Sequence, residues 1–418
     1  MVDKLADRRF RRTGKAGVKA VWDCEMDYWS QELRTRHQIL PFPSFKITSG
    51  TVPWFPEVIG RSFTMGDIST EILQCLERGE PVVAATVVDH SGSTPRTSGS
   101  KMLVYSDGRI TGTVGGGALE GDVIRQAMNL FATCSSAIRF YDLNETTATY
   151  DLDIVCGGRM HVFLEYVPAD ASTLDVYRAL ADSVASSQSV FLAALLHGDD
   201  DHLEVRRSVF TSDGRPLDPA LEGIPESDEL HEALASTGAK GTARLVPLGP
   251  HRLVIEPVAP PDTVYLIGAG HVSLEVAWLT HRLAFRTVVI DDRPEFASEE
   301  RFPMADALRV CPDFEDVFDG FILDGRSLVV IVTRGHRFDK ITLAQALASR
   351  AGYIGMIGSA RKRETIYKGL TDHGVDPAQL ERVLCPVGLD IEAETPAEIA
   401  VSIAAQLIEH RARRRGHE

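Results

Sequence analysis

From Asp67 onward, apolar residues at Ile68, Ile72, Leu73 and Leu76 fall on one face of a helical period, which predicts an amphipathic helix with Asp67 as its N-cap. Gly79-Glu-Pro81 ends it, and the unbroken apolar run from Pro81 to Val88 predicts a buried strand. Lys101–Tyr105 and Ile110–Val114 flank the turn Ser106-Asp-Gly108 and read as a hairpin. Ala118–Leu130 has helical spacing and Met160–Val167 reads as a further strand, so residues 65–168 are expected to form a mixed α/β domain.

Residues 169–260 echo this pattern weakly: "SVFLAALL" resembles "PVVAATVV" and "FTSDGR" resembles "VYSDGR". Two short matches of common residue types favour an extension of the first sheet over an internal duplication. "PVAPP" at 257–261 then reads as a linker. Beyond it, apolar strands (264–268, 286–291, 305–311, 327–333, 353–357) alternate with helical stretches (271–284, 337–350, 360–371), and a last helix spans 396–412. That alternation predicts a doubly wound parallel sheet, a Rossmann-like domain over residues 261–418.

Composition narrows the class. With 418 residues, 44% hydrophobic and 25% charged, the chain is an ordinary globular protein long enough for two or three domains. A formal charge of -15 opposes broad binding to nucleic acid or anionic membrane, and no apolar run reaches the roughly 20 residues of a membrane helix. The six cysteines are scattered without a CxxC pair, which places the protein in a reducing cytoplasm. Cys24, Cys75, Cys134 and Cys311 are expected to be small buried apolar residues. Residues 1–64, basic and then rich in tryptophan and proline, read as an N-terminal extension; Arg8-Arg9 is not followed by the apolar segment of an export signal.

The candidate chemistry lies in glycine turns. Gly268-Ala-Gly270-His271-Val-Ser273 sits between a strand and a helix, as a dinucleotide fingerprint requires. The first glycine permits the tight turn, and the second lets backbone N–H groups approach a pyrophosphate. Ser273 replaces the third small residue. Asp291 and Asp292, at the end of the next strand, stand where an acid takes a ribose hydroxyl. Thr333, Gly335 and His336 follow another strand, and Gly358-Ser359 opens a turn suited to an anion. Arg363 there reads as part of a solvated helix face.

A second turn, Gly115-Gly116-Gly117, joins a strand to a helix whose first turn carries Glu120; it could cradle a phosphate while Glu120 accepts hydrogen bonds from a heterocycle, or serve only close packing and the helix dipole. Cys156-Gly157-Gly158-Arg159 leaves a thiol accessible beside a cation that would lower its pKa.

The segments "GSTPRTSGSKMLVYSDGRITGTVGGGALEGDVI", "CGGRMHVFLE", "YLIGAGHVSLEVA", "VVIDDRPEFASEERFP", "YIGMIGSARKR" and "CPVGLDIEAETPAEIA", in this order, resemble the XdhC/CoxI family of xanthine dehydrogenase accessory proteins. The resemblance implies an accessory domain followed by a Rossmann domain. It also implies a protein that binds molybdenum cofactor (molybdopterin) and supports its sulfuration with a cysteine desulfurase. The product would then be delivered to a molybdenum hydroxylase client of the xanthine dehydrogenase type. A homodimer is expected. Many family members have cysteine at the position of Ala118, which leaves Cys156 as the candidate metal ligand, and Glu392 stands where glycine is usual after "GLDI". On this reading the fingerprint recognises a pterin or a nucleotide such as NAD(P), and the protein is a chaperone without turnover of its own. An NAD(P)-dependent oxidoreductase and a nucleotide-sensing interaction module are the alternatives.

Overall fold

The computed structural model describes residues 65–143, 157–217, 224, 227–238 and 241–414. The expectations for the extension 1–64, for Cys24 and for Cys156 lie outside these residues. Helix α1 (Met65–Glu77) begins two residues before the cap expected of it and buries Ile68, Ile72 and Leu76. Strands β1 (Val82–Gly92), β2 (Lys101–Tyr105) and β3 (Ile110–Gly112), helix α2 (Gly117–Thr133), and strands β4 (Ala137–Asp142) and β5 (Gly158–Val167) complete an antiparallel sheet of order β3-β2-β1-β5-β4. Seven consecutive residues of β1, Val82 to Val88, are buried, because this central strand is covered on both faces.

The next region does not extend that sheet. Helix α3 (Ala171–Ala185), strands β6 (Val190–Gly198) and β7 (Leu203–Thr211), helix α4 (Asp228–Thr237), and strands β8 (Arg244–Leu248) and β9 (His251–Val258) build a separate antiparallel sheet of order β7-β6-β9-β8. Its inner face packs on the first sheet through Val88, Ile138, Phe163, Ala194, Leu196 and Val254. Burying two apolar faces against each other removes more surface from water than lengthening one sheet, whose extra strands would still need a cover.

The C-terminal domain is a six-stranded parallel sheet of order β12-β11-β10-β13-β14-β15. Its elements are β10 (Thr263–Ile267), α5 (His271–Arg282), β11 (Arg286–Asp291), β12 (Ala307–Val310), β13 (Ser327–Ile331), α6 (His336–Ala348), β14 (Tyr353–Met356), α7 (Ala360–Thr371), α8 (Pro377–Leu380), β15 (Val383–Leu384) and α9 (Pro396–Arg414). Within the domain this is the 3-2-1-4-5-6 order of a dinucleotide-binding fold, with the chain reversing direction across the sheet between β10 and β13. Apolar clusters lie on both faces of the sheet. Glu392 takes a left-handed backbone (φ 56°), so the position where glycine is usual does need glycine-like geometry, and a glutamate adopts it at a cost of about 1–2 kcal/mol. Arg326, just ahead of β13, donates to the Ser189 hydroxyl beside β6; this bond lies at the amino ends of the parallel strands, away from the glycine turns at their carboxyl ends.

Candidate functional site

Two regions of the fold collect the glycine turns. At the first, Thr113 leads out of the β3 edge and its hydroxyl donates to Glu120 in the first turn of α2, while the Gly115 N–H donates to the same hydroxyl at 3.2 Å. Gly115 is structural, since a Cβ there would come within 2.7 Å of Leu119 Cδ2. Gly116 and Gly117 are exposed, and a Cβ at either would meet no atom within 4 Å. Gly117 has φ +56°, a left-handed backbone that favours glycine.

The loop between β1 and β2 ties this turn to the second glycine pair. A Cβ on Gly158 would approach the Ser93 carbonyl oxygen to 2.6 Å and Thr94 Cγ2 to 2.7 Å, and Pro95 lies against Gly115. The Ser93 N–H donates to the Gly157 carbonyl at 3.4 Å. Gly115, Gly157 and Gly158 therefore lie against residues 93–95, a loop that local pattern does not mark as a site, and Gly116, Gly117 and Glu120 follow directly from Gly115 along the chain. Arg96 is exposed there and makes no ion pair among the described residues. A signal is present in the sequence all the same: Gly-Ser-Thr-Pro-Arg lengthens a connection that a hairpin closes with two residues.

The second region is the carboxyl edge of the parallel sheet. Gly268 has φ +104°, and a Cβ on it would lie 2.6 Å from the Val332 carbonyl oxygen, so only glycine lets β10 turn beside β13. Ser273 is fully buried and its hydroxyl donates to the Gly268 carbonyl. Gly270 is the N-cap of α5 and faces open space, with His271 exposed beside it. Gly335 caps α6 in the same way, with His336 exposed. Ser359 instead caps α7 with its own hydroxyl, accepting from the Lys362 N–H at 3.3 Å, and Gly358 lies against the Lys362 stem.

The strand-end acids are engaged by the protein itself. Asp291 accepts from the Ala269 N–H at 2.6 Å, from the Arg293 N–H at 3.0 Å and from Arg293 Nε at 2.8 Å. Burial opposes its ionisation, but these bonds outweigh burial and hold its carboxyl below the usual range. Asp292 pairs with Arg334, and burial beside Asp291 pushes its pKa up. The ribose-binding role expected of these acids thus meets carboxylates that already have partners.

Beneath the Thr333 turn lies an arrangement that periodicity could not reveal. The Thr333 hydroxyl donates to Asp339 at 2.8 Å, and Lys362, from the next strand-to-helix turn, reaches inward to the same carboxylate at 2.5 Å and to the Ile357 carbonyl at 3.0 Å. Asp339 is fully buried; burial raises its pKa against the pull of Lys362 and Thr333. Arg363, expected on a solvated face, donates to the Cys385 carbonyl at 3.0 Å. Burial pushes the Cys385 thiol up, which keeps it protonated and inert. Cys75 and Cys311 are buried as expected, but Cys134 is exposed, because it occupies the left-handed position (φ 51°) that ends α2.

Helix capping differs between these turns and other helix starts, and within the carboxyl edge itself. Helices α3, α4, α7 and α8 are capped by the side chains of Asp170, Ser227, Ser359 and Asp376. Helices α2, α5 and α6 begin at Gly116, Gly270 and Gly335 with no side-chain cap, so their first N–H groups stay available to an anion. Among the described residues, no group of three His, Cys, Asp or Glu is placed to hold a metal ion, and no helix is long and apolar enough to cross a membrane.

These features define a two-part α/β protein: a pair of packed antiparallel sheets with one group of glycine turns, and a Rossmann domain with a second. The family model described as the XdhC and CoxI family matches residues 75–142, and that of the XdhC Rossmann domain matches residues 264–407; the chain belongs to this family. It is 27% identical over 356 residues to a probable xanthine dehydrogenase subunit of Bacillus subtilis (strain 168), covering 84% of this chain and 99% of that protein. It is 25% identical over 343 residues to the uncharacterized protein YqeB of Escherichia coli (strain K12), covering 82% of this chain but only 46% of that protein. A crystal structure of a xanthine dehydrogenase from Bacillus halodurans is similar with a TM-score of 0.68 at 25% identity, over 83% of this chain and 96% of the other.

Proposed function

We propose that this protein is an accessory factor for a xanthine dehydrogenase-type molybdenum hydroxylase, holding molybdenum cofactor as cargo during its sulfuration and handing it to the client. The observation that carries the reading is the exposed, uncapped N-terminus of α2, where Gly116 and Gly117 leave open space. The phosphate of molybdopterin fits such a terminus, with Arg96 on the adjoining loop adding charge. Glu120, held by Thr113, would present its remaining lone pairs to pterin N–H groups. The cargo supplies the molybdenum centre whose oxo ligand is exchanged for sulfur, with a cysteine desulfurase as donor. Cys156, in the family motif, is the proposed thiol at that centre. Relatives named for xanthine dehydrogenase support the choice of client.

The Rossmann domain supports a companion reading, that the crevice between β10 and β13 takes a nucleotide, because the strand order and the glycine-capped α5 and α6 suit a pyrophosphate. The test purifies the full chain from cells that make molybdenum cofactor. It measures molybdenum and oxidised pterin per chain, and client hydroxylase activity after mixing with the client's apo form. Wild type should carry both and activate the client; Gly116→Val and Cys156→Ala should keep the wild-type melting temperature and lose the cargo or its transfer. Gly270→Val should abolish binding of NADP⁺ or ATP, measured by calorimetry, and spare the molybdenum. A wild-type chain that carries no molybdenum or pterin, or that oxidises an organic substrate with NAD(P) on its own, would overturn the reading.

A further inference from the structure

Residues 65–167 and 171–258 follow one plan. Helix α1, strands β1 and β2, helix α2 and strands β4 and β5 have as counterparts α3, β6, β7, α4, β8 and β9 in the same chain order, and β2-β1-β5-β4 in one sheet corresponds to β7-β6-β9-β8 in the other. The correspondence holds residue by residue in the strand registers. Val82 faces Tyr105 as Val190 faces Thr211, and Thr86 faces Lys101 as Ala194 faces Arg207. Ala84 faces Glu165 as Leu192 faces Glu256, and Tyr141 faces Met160 as Leu248 faces His251. Even the edge agrees: Val104 pairs with Ile110, and Phe210 bridges to Pro216.

The hairpin turns are the same object. In each, Ser-Asp-Gly-Arg carries glycine at φ +83°, the glycine N–H donates 2.9 Å back to the residue three earlier, and Asp107 or Asp213 holds Arg109 or Arg215. A common turn sequence reproduces one hairpin; it does not reproduce the pairing of four strands. The buried faces match as well. Ile68, Ile72 and Leu76 of α1 correspond to Val176, Leu180 and Val184 of α3, and all six join one shared cluster.

Two buried ion pairs complete the relation. Lys101 on β2 reaches Glu256 on β9 at 2.5 Å, and Arg207 on β7 reaches Glu165 on β5. Lys101 and Arg207 are counterparts, as are Glu165 and Glu256, so each unit lends its cation to the other's acid. Such reciprocity, residue i to j and j to i, is the signature of a two-fold self-complementary interface.

We infer that residues 65–258 are two fused copies of one α-β-β-α-β-β unit, docked on each other as the halves of a symmetric dimer are. The surface by which the first unit would recruit a second copy is filled from within the chain, so a client must use another face. Only the first unit carries the ligand turn: it reads Gly112-Thr-Val-Gly-Gly-Gly-Ala-Leu-Glu120, where the second reads Asp218-Pro-Ala-Leu-Glu-Gly223. The inference does not depend on what that turn binds.

The test uses thermal unfolding of the full chain. Lys101→Met and Arg207→Met should each lower the melting temperature by roughly 5–10 °C, because each strands a buried glutamate, and the two losses should agree within about a factor of two. Glu256→Gln should rescue Lys101→Met but not Arg207→Met, and Glu165→Gln the converse. The exchange Lys101→Arg with Arg207→Lys should stay within a few degrees of wild type, since equivalent positions accept each other's residue; it also decides the matter should either methionine variant fail to fold. One pair proving dispensable while the other is essential, or an exchange as damaging as a single loss, would overturn the equivalence.

Discussion

The turns at Thr113 and Thr333 use one device in two settings. In each, a threonine at the end of a strand donates to an acid in the first turn of the following helix, and a glycine two residues on donates its N–H to the threonine hydroxyl. At Thr333 the acid is Asp339, fully buried and closed off by Lys362 from the neighbouring turn. At Thr113 the acid is Glu120, half-buried and with no cation beside it among the described residues. The difference separates support from recognition. A carboxylate locked by a buried lysine fixes the two turns that face the crevice and has little left to offer a ligand, whereas one held by a hydroxyl alone keeps lone pairs free.

Breaking the locked turn should have the largest effect. Lys362→Met strands Asp339 and should cost about 3–5 kcal/mol in denaturant unfolding at neutral pH. Because the folded pKa of Asp339 already lies above its ordinary value, the acid's contribution is favourable below the unfolded pKa and is lost as pH rises through the folded one. The penalty in this variant should therefore shrink as pH falls. A loss below about 1 kcal/mol would mean that the pair is not what holds the turn.

Gly268→Ala comes next, at about 1–3 kcal/mol, from a left-handed backbone and a carbonyl 2.6 Å from the new methyl. Gly270→Ala, two residues on in open space, should be nearly silent in the same denaturant unfolding. Asp291→Asn should cost about 2 kcal/mol through its charge-assisted bonds to Ala269 and Arg293. With a folded pKa below the usual range, Asp291 contributes fully above the unfolded value of about 3.9 and loses that contribution as pH falls through the folded value, so wild type and variant should converge in acid. Curves that stay parallel down to low pH would refute this assignment.

Among the side-chain substitutions, the smallest stability effect belongs to the open turn. Glu120→Gln should change stability by no more than about 1 kcal/mol, since one hydroxyl bond is retained in weaker form, while lowering the molybdenum carried per chain. Equal molybdenum content would reduce Glu120 to a dipole-complementing residue like Asp339 without its lysine.

Much of this was legible in the sequence, because local pattern and local structure agree wherever one segment settles its own fate. The strand-turn-helix at Gly268, the alternation that makes a parallel sheet, and the apolar face of α1 follow from spacing alone. So does the glycine at 268, which a tight turn between neighbouring strands requires. β4 carries polar and apolar residues in an irregular order and is not marked by periodicity, since its place is fixed by pairing with β5 and not by its own pattern.

What the tertiary structure alone decided are the pairings between distant segments. Two short echoes in the sequence became a matched pair of sheets only when the registers of β1 with β5 and β6 with β9 could be compared. Lys101, Arg207 and Lys362 look like surface charges along the chain, and their burial depends on acids that arrive from other elements. A cation can leave water only where a carboxylate from elsewhere compensates its lost hydration, and no local window of sequence contains that partner.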